Sequence, residues 1–284
     1  MQISTLSPGT AAEGVYAVRS KERRMSRRGE PYLLMTLSDA TGSIRALCFD
    51  QADFFGEQFA EGDRIRVTGQ VIATDGDPTV RVRHIRRADD EATPESLLPR
   101  SHRDPDELFG FVLHLADEVA DAGLRRLLGL LTEDQALVQR WCRVPCTQTG
   151  HHAYQGGLIE HTVGVATLCQ TLCQWHPRLN SDLLLAAALV HDIGLTATFH
   201  LGATFELTDE GRLLGHLALG HEIVSRAAAE SKLAAETRLT LLHIVAWHHG
   251  PPADQDAGTA SAEALALWRA NDLEADVKSR LEGR

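Results

Sequence analysis

The spacing of hydrophobic positions divides the chain into two parts. In the first 88 residues, apolar and polar residues alternate along five short segments separated by turn sequences such as Asp75-Gly76-Asp77-Pro78. A period of two residues predicts β-strands, here residues 14–20, 31–37, 43–50, 64–73 and 79–86. Five strands at this spacing indicate an all-β domain over residues 1–88, a small barrel or sandwich.

From residue 105 onward, apolar positions recur every three to four residues, which predicts an all-α domain over residues 105–284. Thr208 is placed to cap one helix, and Gly250 and Pro251 are placed to end another. The predicted helices are residues 105–120, 121–131, 134–142, 158–175, 181–192, 208–229, 235–248 and 261–279. Residues 89–104 are charged, contain two prolines and lack periodicity, so we interpret them as a linker.

The composition is typical of a water-soluble globular protein. Hydrophobic residues make up 43% of the 284 residues and charged residues 24%. No apolar run approaches the roughly 18 residues that span a bilayer. The first residues lack the basic and apolar regions of a signal peptide. We therefore expect a cytoplasmic protein with no membrane partner.

Charge and histidine are unevenly distributed between the two parts. Residues 1–88 carry a net charge of +2, whereas the remainder carries −13 and 13 of the 14 histidines. An acidic second part argues against tight nonspecific binding of duplex nucleic acid. It suits a domain that binds divalent cations, so we expect the chemistry in the helical part.

Four of the five cysteines form two pairs at a spacing of four residues, Cys142 with Cys146 and Cys169 with Cys173. This is not the C-x2-C spacing of a zinc ribbon, and on a helix it places two thiols on one face. We expect buried reduced thiols, with a disulfide or metal role as the alternative.

The tandem His191-Asp192 at the end of an apolar helix is the most informative chemical feature. The imidazole offers a metal nitrogen, and the adjacent carboxylate can bridge two metals through its two oxygens. Mixed histidine and carboxylate ligands suit Mn, Fe, Zn or Co better than Ca. One histidine alone is more often structural, but further histidines lie near predicted helix ends, at His161, His216, His248 and His249.

The ordered series of these residues resembles the HD-domain superfamily of metal-dependent phosphohydrolases. The segments that carry the resemblance are HHAYQGGLIEHT (151–162), LVHDIG (189–194), TFELTDEGRLLGH (204–216) and HHG (248–250). The first part, with its strand pattern and the sequence GEPYLLMTLSDATGSIRALCFD, resembles the OB-fold nucleic-acid-binding barrel. Together, the two domains resemble the YhaM-type 3′-to-5′ exoribonucleases over almost the whole chain.

The resemblance implies a metal centre with Asp192 as the bridging residue. The implied ligands are His161, His191, Asp192, His216, His248 and His249, and the implied catalytic residues are His191 and Asp192. They would hold one or two divalent ions, with Mn²⁺ favoured and Fe, Co, Zn or Mg as alternatives. A water activated by the metals would attack the terminal phosphodiester.

Substrate contacts are expected in both domains. In the helical domain, His151, His152, Tyr154 and Arg212 are candidates for binding phosphate or base, with loop packing and a solvated helix face as the alternative interpretations. In the barrel, basic loops and exposed aromatics are typical of single-strand binding. The candidates there are Arg23, Arg24, Arg27, Arg28, Tyr32, Arg81 and Arg83. The alternative is that the basic run is only a solvated hairpin tip.

The sequence departs from the family pattern at two positions. Leu195 stands where the HD motif usually continues with a lysine, so one cation near the phosphate is missing. Asn271 stands where the last ligand aspartate is expected, and we predict that the adjacent Asp272 takes over as a ligand. Other histidines, His114, His176, His200, His221 and His243, are interpreted as structural or surface residues.

The favoured hypothesis is a 3′-to-5′ exonuclease that binds the 3′ ends of single-stranded RNA, or of DNA. One alternative is a phosphohydrolase of small or cyclic nucleotides. Another, motivated by Leu195 and Asn271, is a nucleic-acid-binding protein with a weakened or lost active site. Assembly into a homo-oligomer is left open.

Overall fold

The first part of the chain folds as a closed five-stranded barrel. In the computed structural model, which describes residues 1–251 and 256–282, the strands are β1 (Ala11–Met25), β2 (Pro31–Asp39), β3 (Gly42–Cys48), β4 (Arg64–Thr74) and β5 (Asp77–Arg87). They join in the order β1-β2-β3-β5-β4 and close on each other. The β3–β5 pair is parallel and the other neighbours are antiparallel. The predicted all-β barrel is confirmed.

The barrel differs from the sequence prediction at two places. Strand β1 continues to Met25, because residues 20–25 pair with β2 and Arg24 lies opposite Tyr32. The basic segment is therefore largely strand, and only residues 26–30 form the turn. A short helix, α1 (Ala52–Gly56), follows β3. Five residues are too few to produce a helical period in the sequence.

Residues beyond the predicted barrel boundary pack with the barrel. The first compact unit contains Met1–Arg100 and Leu201–Glu206, so most of the predicted linker 89–104 belongs to it. Leu97 and Ala203 bury their side chains in a small cluster with Ala17 of β1. Glu91 forms ion pairs with Arg66 and Arg86 on the barrel surface. Through these contacts residues 89–100 pack with the barrel, which their composition did not predict.

The second unit contains Ser101–His200 and the chain from Leu207 onward, and it is helical. Its helices are α2 (Pro105–Asp117), α3 (Ala122–Glu133), α4 (Gln135–Trp141), α5 (Gly157–Trp175), α6 (Ser181–Val190), α7 (Leu195–Thr198), α8 (Asp209–Leu213), α9 (Gly215–Glu230), α10 (Ala235–Ala246) and α11 (Ala262–Leu281). One antiparallel bridge joins Phe199 to Leu207, on either side of the segment that belongs to the first unit. The predicted all-α domain is otherwise observed.

Helix α6 is the centre of this unit. All residues from Leu183 to Val190 are buried, and α5, α10 and α11 pack against the helix. The window Ser181–Thr198 is long and apolar enough to cross a membrane, which corrects the expectation that no segment approaches that length. Because 83% of this window is buried inside the protein, it is a core segment of the helical unit.

The helix predicted over residues 208–229 is interrupted. Thr208 caps α8 as expected, since the Gly211 N–H donates to its hydroxyl at 2.9 Å. The chain then turns at Gly215, whose φ of +73° lies in the left-handed region that glycine tolerates. Helix α9 therefore begins after this break, at Gly215, which places His216 in its first turn.

Candidate metal centre

Four separate elements bring six of the predicted ligands to one place. His161 lies in the second turn of α5, and His191 and Asp192 follow the buried helix α6. His216 lies at the start of α9, and His248 and His249 follow α10. These six residues, which the sequence spreads over 89 positions, form two overlapping groups whose ligand atoms lie within 4.8 Å of one another.

Asp192 joins the two groups because its carboxylate oxygens face different histidines. Oδ2 lies 3.7 Å from Nε2 of His161 and 3.6 Å from Nε2 of His191. Oδ1 lies 3.1 Å from Nε2 of His248 and 3.5 Å from Nε2 of His216. Nε2 of His249 lies 3.0 Å from that of His216. We call the Oδ2 side the first position and the Oδ1 side the second position.

Backbone and carboxylate acceptors fix the orientation of three imidazoles. Nδ1 of His191 donates to the carbonyl of Ala188 at 2.8 Å, and Nδ1 of His248 donates to that of Val245 at 2.6 Å. Nδ1 of His161 lies 2.5 Å from Oε2 of Glu274. With the proton on Nδ1, each Nε2 directs a lone pair toward Asp192, the arrangement that metal-ligating histidines adopt.

Several of the inward-facing nitrogen and oxygen atoms face one another at short distance. Nε2 of His161 and of His191 face each other at 3.3 Å. Oδ1 of Asp192 and Nε2 of His248 are fully buried and have no hydrogen-bond partner within the described chain, although they are 3.1 Å apart. Buried acceptors that face each other are destabilising unless something positive lies between them. A divalent cation meets that requirement at both positions.

Burial sets the protonation states that metal binding needs. It lowers the pKa of His191 to about 3 and that of His249 to about 4, so both rings are neutral near pH 7. Burial disfavours the charged form of Asp192, but the neighbouring His191 and His248 rings hold its pKa well below the usual range. The centre therefore presents the neutral rings of His191 and His249 beside a carboxylate anion, whereas the contact with Glu274 outweighs burial and raises the pKa of His161.

Helix α11 contributes Asn271 and Glu274, and the prediction for Asp272 is wrong. Asn271 is buried, with Oδ1 at 2.9 Å from Nε2 of His161 and Nδ2 donating to the carbonyl of His248. Asp272 lies about 100° further around the helix, half-exposed, and pairs with Arg269. No local shift of the helix brings it inward.

Glu274 was overlooked in the sequence. One turn after Asn271, its carboxylate contacts Nδ1 of His161 and, at 2.8 Å, Nε2 of His152. Burial raises its pKa, but the contacts with His152 and His161 prevail and hold the pKa at about 2. Its i, i+3 spacing from Asn271 was the available signal, because residues three apart share a helix face.

The predicted substrate residues do not share one location. His151 lines a cavity of about 330 Å³ beside the ligands, together with Asp192, Leu195, His216 and His249. His152 and Tyr154 are buried behind the ligands instead. Nδ1 of His152 lies 2.7 Å from the Tyr154 hydroxyl, which donates to Glu160 at 3.0 Å. The predicted substrate role of His152 and Tyr154 is therefore corrected to a packing role.

Arg212 and the remaining histidines lie apart from the ligands. Arg212 is exposed on α8 and pairs with Asp209, so the solvated-face interpretation holds for it. His114 pairs with Glu118 on the surface, and His243 packs against Trp247. His176, His200 and His221 are exposed. Leu195, by contrast, does face the cavity, so its wall is apolar where the family pattern has a lysine.

The cysteines are free thiols, and one lies at the centre. Cys142 and Cys146 follow α4 and are not on a helix, so the predicted shared helix face applies only to Cys169 and Cys173. The Cys146 thiol is buried and donates to Oδ2 of Asp192 at 3.7 Å. Burial raises the pKa of this thiol well above its usual value in the metal-free state.

On the barrel, a smaller group of predicted residues forms a surface. The Tyr32 ring stacks on Phe49, with centroids 5.2 Å apart, and the Arg81 guanidinium lies 5.9 Å from the Phe49 centroid. Arg81 and Arg83 are both exposed on β5 because the residues beside them, Val80 and Val82, are buried. We call Tyr32, Phe49 and Arg81 the aromatic face.

The basic residues of the β1–β2 hairpin divide into paired and unpaired groups. Arg23 is paired with Asp53 and Arg24 with Glu22. Arg27 and Arg28 are exposed at the turn. No carboxylate in the described residues forms an ion pair with Arg27, Arg28, Arg81 or Arg83, so these four cations are available to an anionic ligand.

Comparison with known proteins identifies both domains. Residues 158–276 match the HD domain family, and residues 17–88 match the OB-fold nucleic acid binding domain family. A protein of Bacillus velezensis named 3'-5' exoribonuclease YhaM is 26% identical over 244 residues, which cover 85% of this chain and 77% of that protein.

Solved structures that are similar to about a third of this chain include two structures from replication protein A of Methanococcus maripaludis. Its second OB-fold domain is 24% identical and covers 32% of this chain and 97% of that chain, with a TM-score of 0.27. A crystallised domain of the same protein is 26% identical and covers 31% and 92%, also with a TM-score of 0.27.

Proposed function

Because this chain joins an OB-fold domain to an HD domain and is a homologue of the 3'-5' exoribonuclease YhaM, we propose that it is a metal-dependent 3′-to-5′ exonuclease of single-stranded RNA. Single-stranded DNA is the alternative polymer. The observation that carries the proposal is the convergence of histidine nitrogens on the Asp192 carboxylate, where Oδ1 of Asp192 and Nε2 of His248 have no hydrogen-bond partner among the described residues. Such a cluster can hold divalent ions.

The two positions divide the ligands between them. His161, His191 and Oδ2 of Asp192 would hold one ion, with Oδ1 of Asn271 close by. Oδ1 of Asp192, His216, His248 and His249 would hold the other. When bound, divalent ions lower the pKa of water and neutralise charge on phosphoryl oxygens. Asp192 fixes the separation of the two positions, since it belongs to both.

The cavity walls suit a nucleotide end. His216 and His249 face the cavity from the second position, and His151 faces it from the first. Leu195, Phe199 and Leu207 form an apolar wall against which a base or ribose can pack. Because residue 195 is not a lysine, charge neutralisation on the phosphate depends on the ions; burial lowers the pKa of His151 to about 4, so its neutral ring can offer only a hydrogen bond.

The aromatic face of the barrel supports single-strand binding. Bases of any sequence can stack on Tyr32 and Phe49, while Arg81, Arg83, Arg27 and Arg28 can approach the phosphates. This combination serves a nuclease that must hold polymers of varied sequence. It has no evident use for an enzyme of small cyclic nucleotides.

The test is digestion of a 5′-labelled single-stranded RNA with Mn²⁺. We expect a ladder that shortens from the 3′ end, and we expect His191→Ala to remove cleavage while RNA binding persists. His176→Ala, at an exposed position far from the ligands, is the matched control and should cleave normally. Binding without shortening would indicate a binding protein with a lost active site. Hydrolysis of mononucleotides alone would indicate a small-nucleotide enzyme.

A further inference from the structure

The Cys146 thiol faces the first position from the segment between α4 and α5. Its side chain is buried, and Sγ lies 3.7 Å from both Oδ2 of Asp192 and Nε2 of His151. Cys146, His151 and His161 form a further group whose ligand atoms lie within 4.8 Å of one another. The thiol thus meets the same carboxylate oxygen that His161 and His191 face.

The first position is short of negative charge. Asn271 offers only a neutral amide oxygen, at 2.9 Å from Nε2 of His161. The Asp192 carboxylate is shared with the second position. A buried divalent cation requires anionic partners, because the surrounding protein solvates charge poorly. An additional anionic ligand would add negative charge here, and the Cys146 thiol, which already contacts Oδ2 of Asp192, can supply it.

The distances of Asp192 to Cys146, His161 and His191, and that between the two histidines, agree with a tetrahedral metal site. With metal–sulfur bonds of about 2.3 Å and metal–oxygen bonds of about 2.1 Å, sulfur and oxygen ligands lie about 3.6 Å apart. The Cys146–Asp192 distance is 3.7 Å. Nitrogen and oxygen ligands should lie about 3.4 Å apart by the same geometry. The distances among His161, His191 and Asp192 are 3.3, 3.6 and 3.7 Å.

Cys146 belongs to the first position and not to a separate third site. Nδ1 of His161 is occupied by Glu274, so only Nε2 can bind a metal. That nitrogen has one lone pair and faces His191 and Asp192. An ion that uses Cys146 and His161 must therefore be the ion of the first position.

We propose that Cys146 is a thiolate ligand of the metal at the first position, together with His161, His191 and Asp192. On binding, the S–H bond breaks, the proton leaves to solvent and a sulfur–metal bond forms, with no change of oxidation state. A thiolate favours Zn²⁺, Co²⁺ or Fe²⁺ over Mg²⁺ and Mn²⁺. The second position has only histidine and carboxylate ligands, so it should accept Mn²⁺ as well as Zn²⁺, Co²⁺ and Fe²⁺. This inference rests on the metal centre of the proposed function.

The direct test is spectroscopy of the full-length protein loaded with Co²⁺ or Zn²⁺. We expect a thiolate-to-cobalt charge-transfer band in the near ultraviolet, and one sulfur neighbour at about 2.3 Å in zinc X-ray absorption. Cys146→Ser should remove both signals. It should also weaken metal affinity at the first position at least tenfold, since even loss of a hydrogen-bonding partner behind a ligand weakens affinity by about 10–100-fold.

Two further variants make the test specific. Cys173→Ser, at a half-buried thiol on α5, is the control and should keep both signals. In the Cys146→Ser background, Asn271→Asp should restore the metal content without restoring the charge-transfer band, because it replaces one anionic ligand by another. Circular dichroism checks that each variant is folded. The charge-transfer band and the sulfur neighbour of the wild-type protein test the proposal even if a variant fails to fold.

The outcomes separate this inference from the proposed function. Failure of the wild-type protein to bind Co²⁺ or Zn²⁺ would overturn the metal centre and the cysteine ligand together. Bound metal without a sulfur neighbour, or a band that survives in Cys146→Ser, would overturn only the cysteine ligand. Digestion of the labelled RNA would then still test the proposed nuclease activity.

Discussion

At the scale of single residues, the site depends on which atom each side chain turns inward. His161 has two nitrogens, and the contact of Nδ1 with Glu274 leaves Nε2 for the metal. Asn271 and Asp272 are neighbours in sequence, yet only Asn271 reaches the ligands. Substitutions on α11 should therefore have unequal effects.

Glu274→Gln is expected to weaken metal binding by about 10–100-fold, because the carboxylate that orients His161 is lost. Asp272→Asn, two residues earlier on the same helix, is the control and should leave affinity unchanged. Isothermal titration with Zn²⁺ measures both. Equal losses in the two variants would mean that α11 presents a different face to the site.

Metal-free protein is expected to lose stability as the pH falls below about 6.5. Burial lowers the pKa of His191 to about 3 and those of His151 and His249 to about 4, whereas a histidine in an unfolded chain titrates near about 6.5. Between these values the unfolded chain binds more protons, so stability rises with pH and falls on acidification.

Urea unfolding in the presence of a chelator, from pH 8 to pH 4, measures this dependence. His191→Gln should flatten the slope between pH 6.5 and 4, since one of the buried groups is removed. His176→Gln, at an exposed position, should keep the wild-type slope. A slope that is the same in all three proteins would show that these buried imidazoles do not control acid stability.

At the scale of elements, the packing of the turn after α6 against α9 sets the geometry between Asp192 and His216. Gly194 lies so close to α9 that a Cβ atom there would be 2.0 Å from the carbonyl oxygen of His216 and 2.5 Å from the amide nitrogen of Gly220. Both contacts are with backbone, which cannot move aside as a side chain can.

Gly194→Ala is therefore expected to destabilise the protein by about 1–3 kcal/mol or more and to weaken metal binding by displacing His216. Gly110→Ala is the control, and it should change stability in the opposite direction. Gly110 lies within α2 with open space at its Cβ, so alanine there should stabilise by about 0.5–1 kcal/mol. Thermal melts and metal titrations of the two variants test the pair; a Gly194→Ala protein as stable as wild type would contradict the close approach.

At the scale of the whole molecule, two compact units carry different tasks. The barrel unit carries the aromatic face, and the helical unit carries the metal ligands. Damage to one unit should then leave the chemistry of the other in place.

The double variant Tyr32→Ala with Phe49→Ala is expected to weaken binding of single-stranded RNA by at least about fivefold, since each stacked base contributes about 1–3 kcal/mol. Hydrolysis of a small phosphodiester, which needs only the metal centre, should be unchanged. Phe54→Ala, an exposed phenylalanine outside the aromatic face, is the control. If Phe54→Ala weakens RNA binding as much, the RNA does not follow the assigned face.

Much of the architecture was determined by the sequence alone. The change from a two-residue period to a helical period separated a barrel from a helical domain, because each period indicates which positions along the chain face a hydrophobic core. The ordered histidines and the His191-Asp192 pair on distant segments also indicated a metal centre, through their resemblance to the HD-domain superfamily.

Only the tertiary structure decided what lies around those ligands. Periodicity does not specify which face of α11 meets His161, so it could not separate Asn271 from Asp272 or identify Glu274. It also could not show that Cys146, from a segment without regular structure, faces Asp192, or that residues 201–206 pack with the barrel. These relations depend on how distant segments pack in three dimensions, and a local pattern contains no information about distant neighbours.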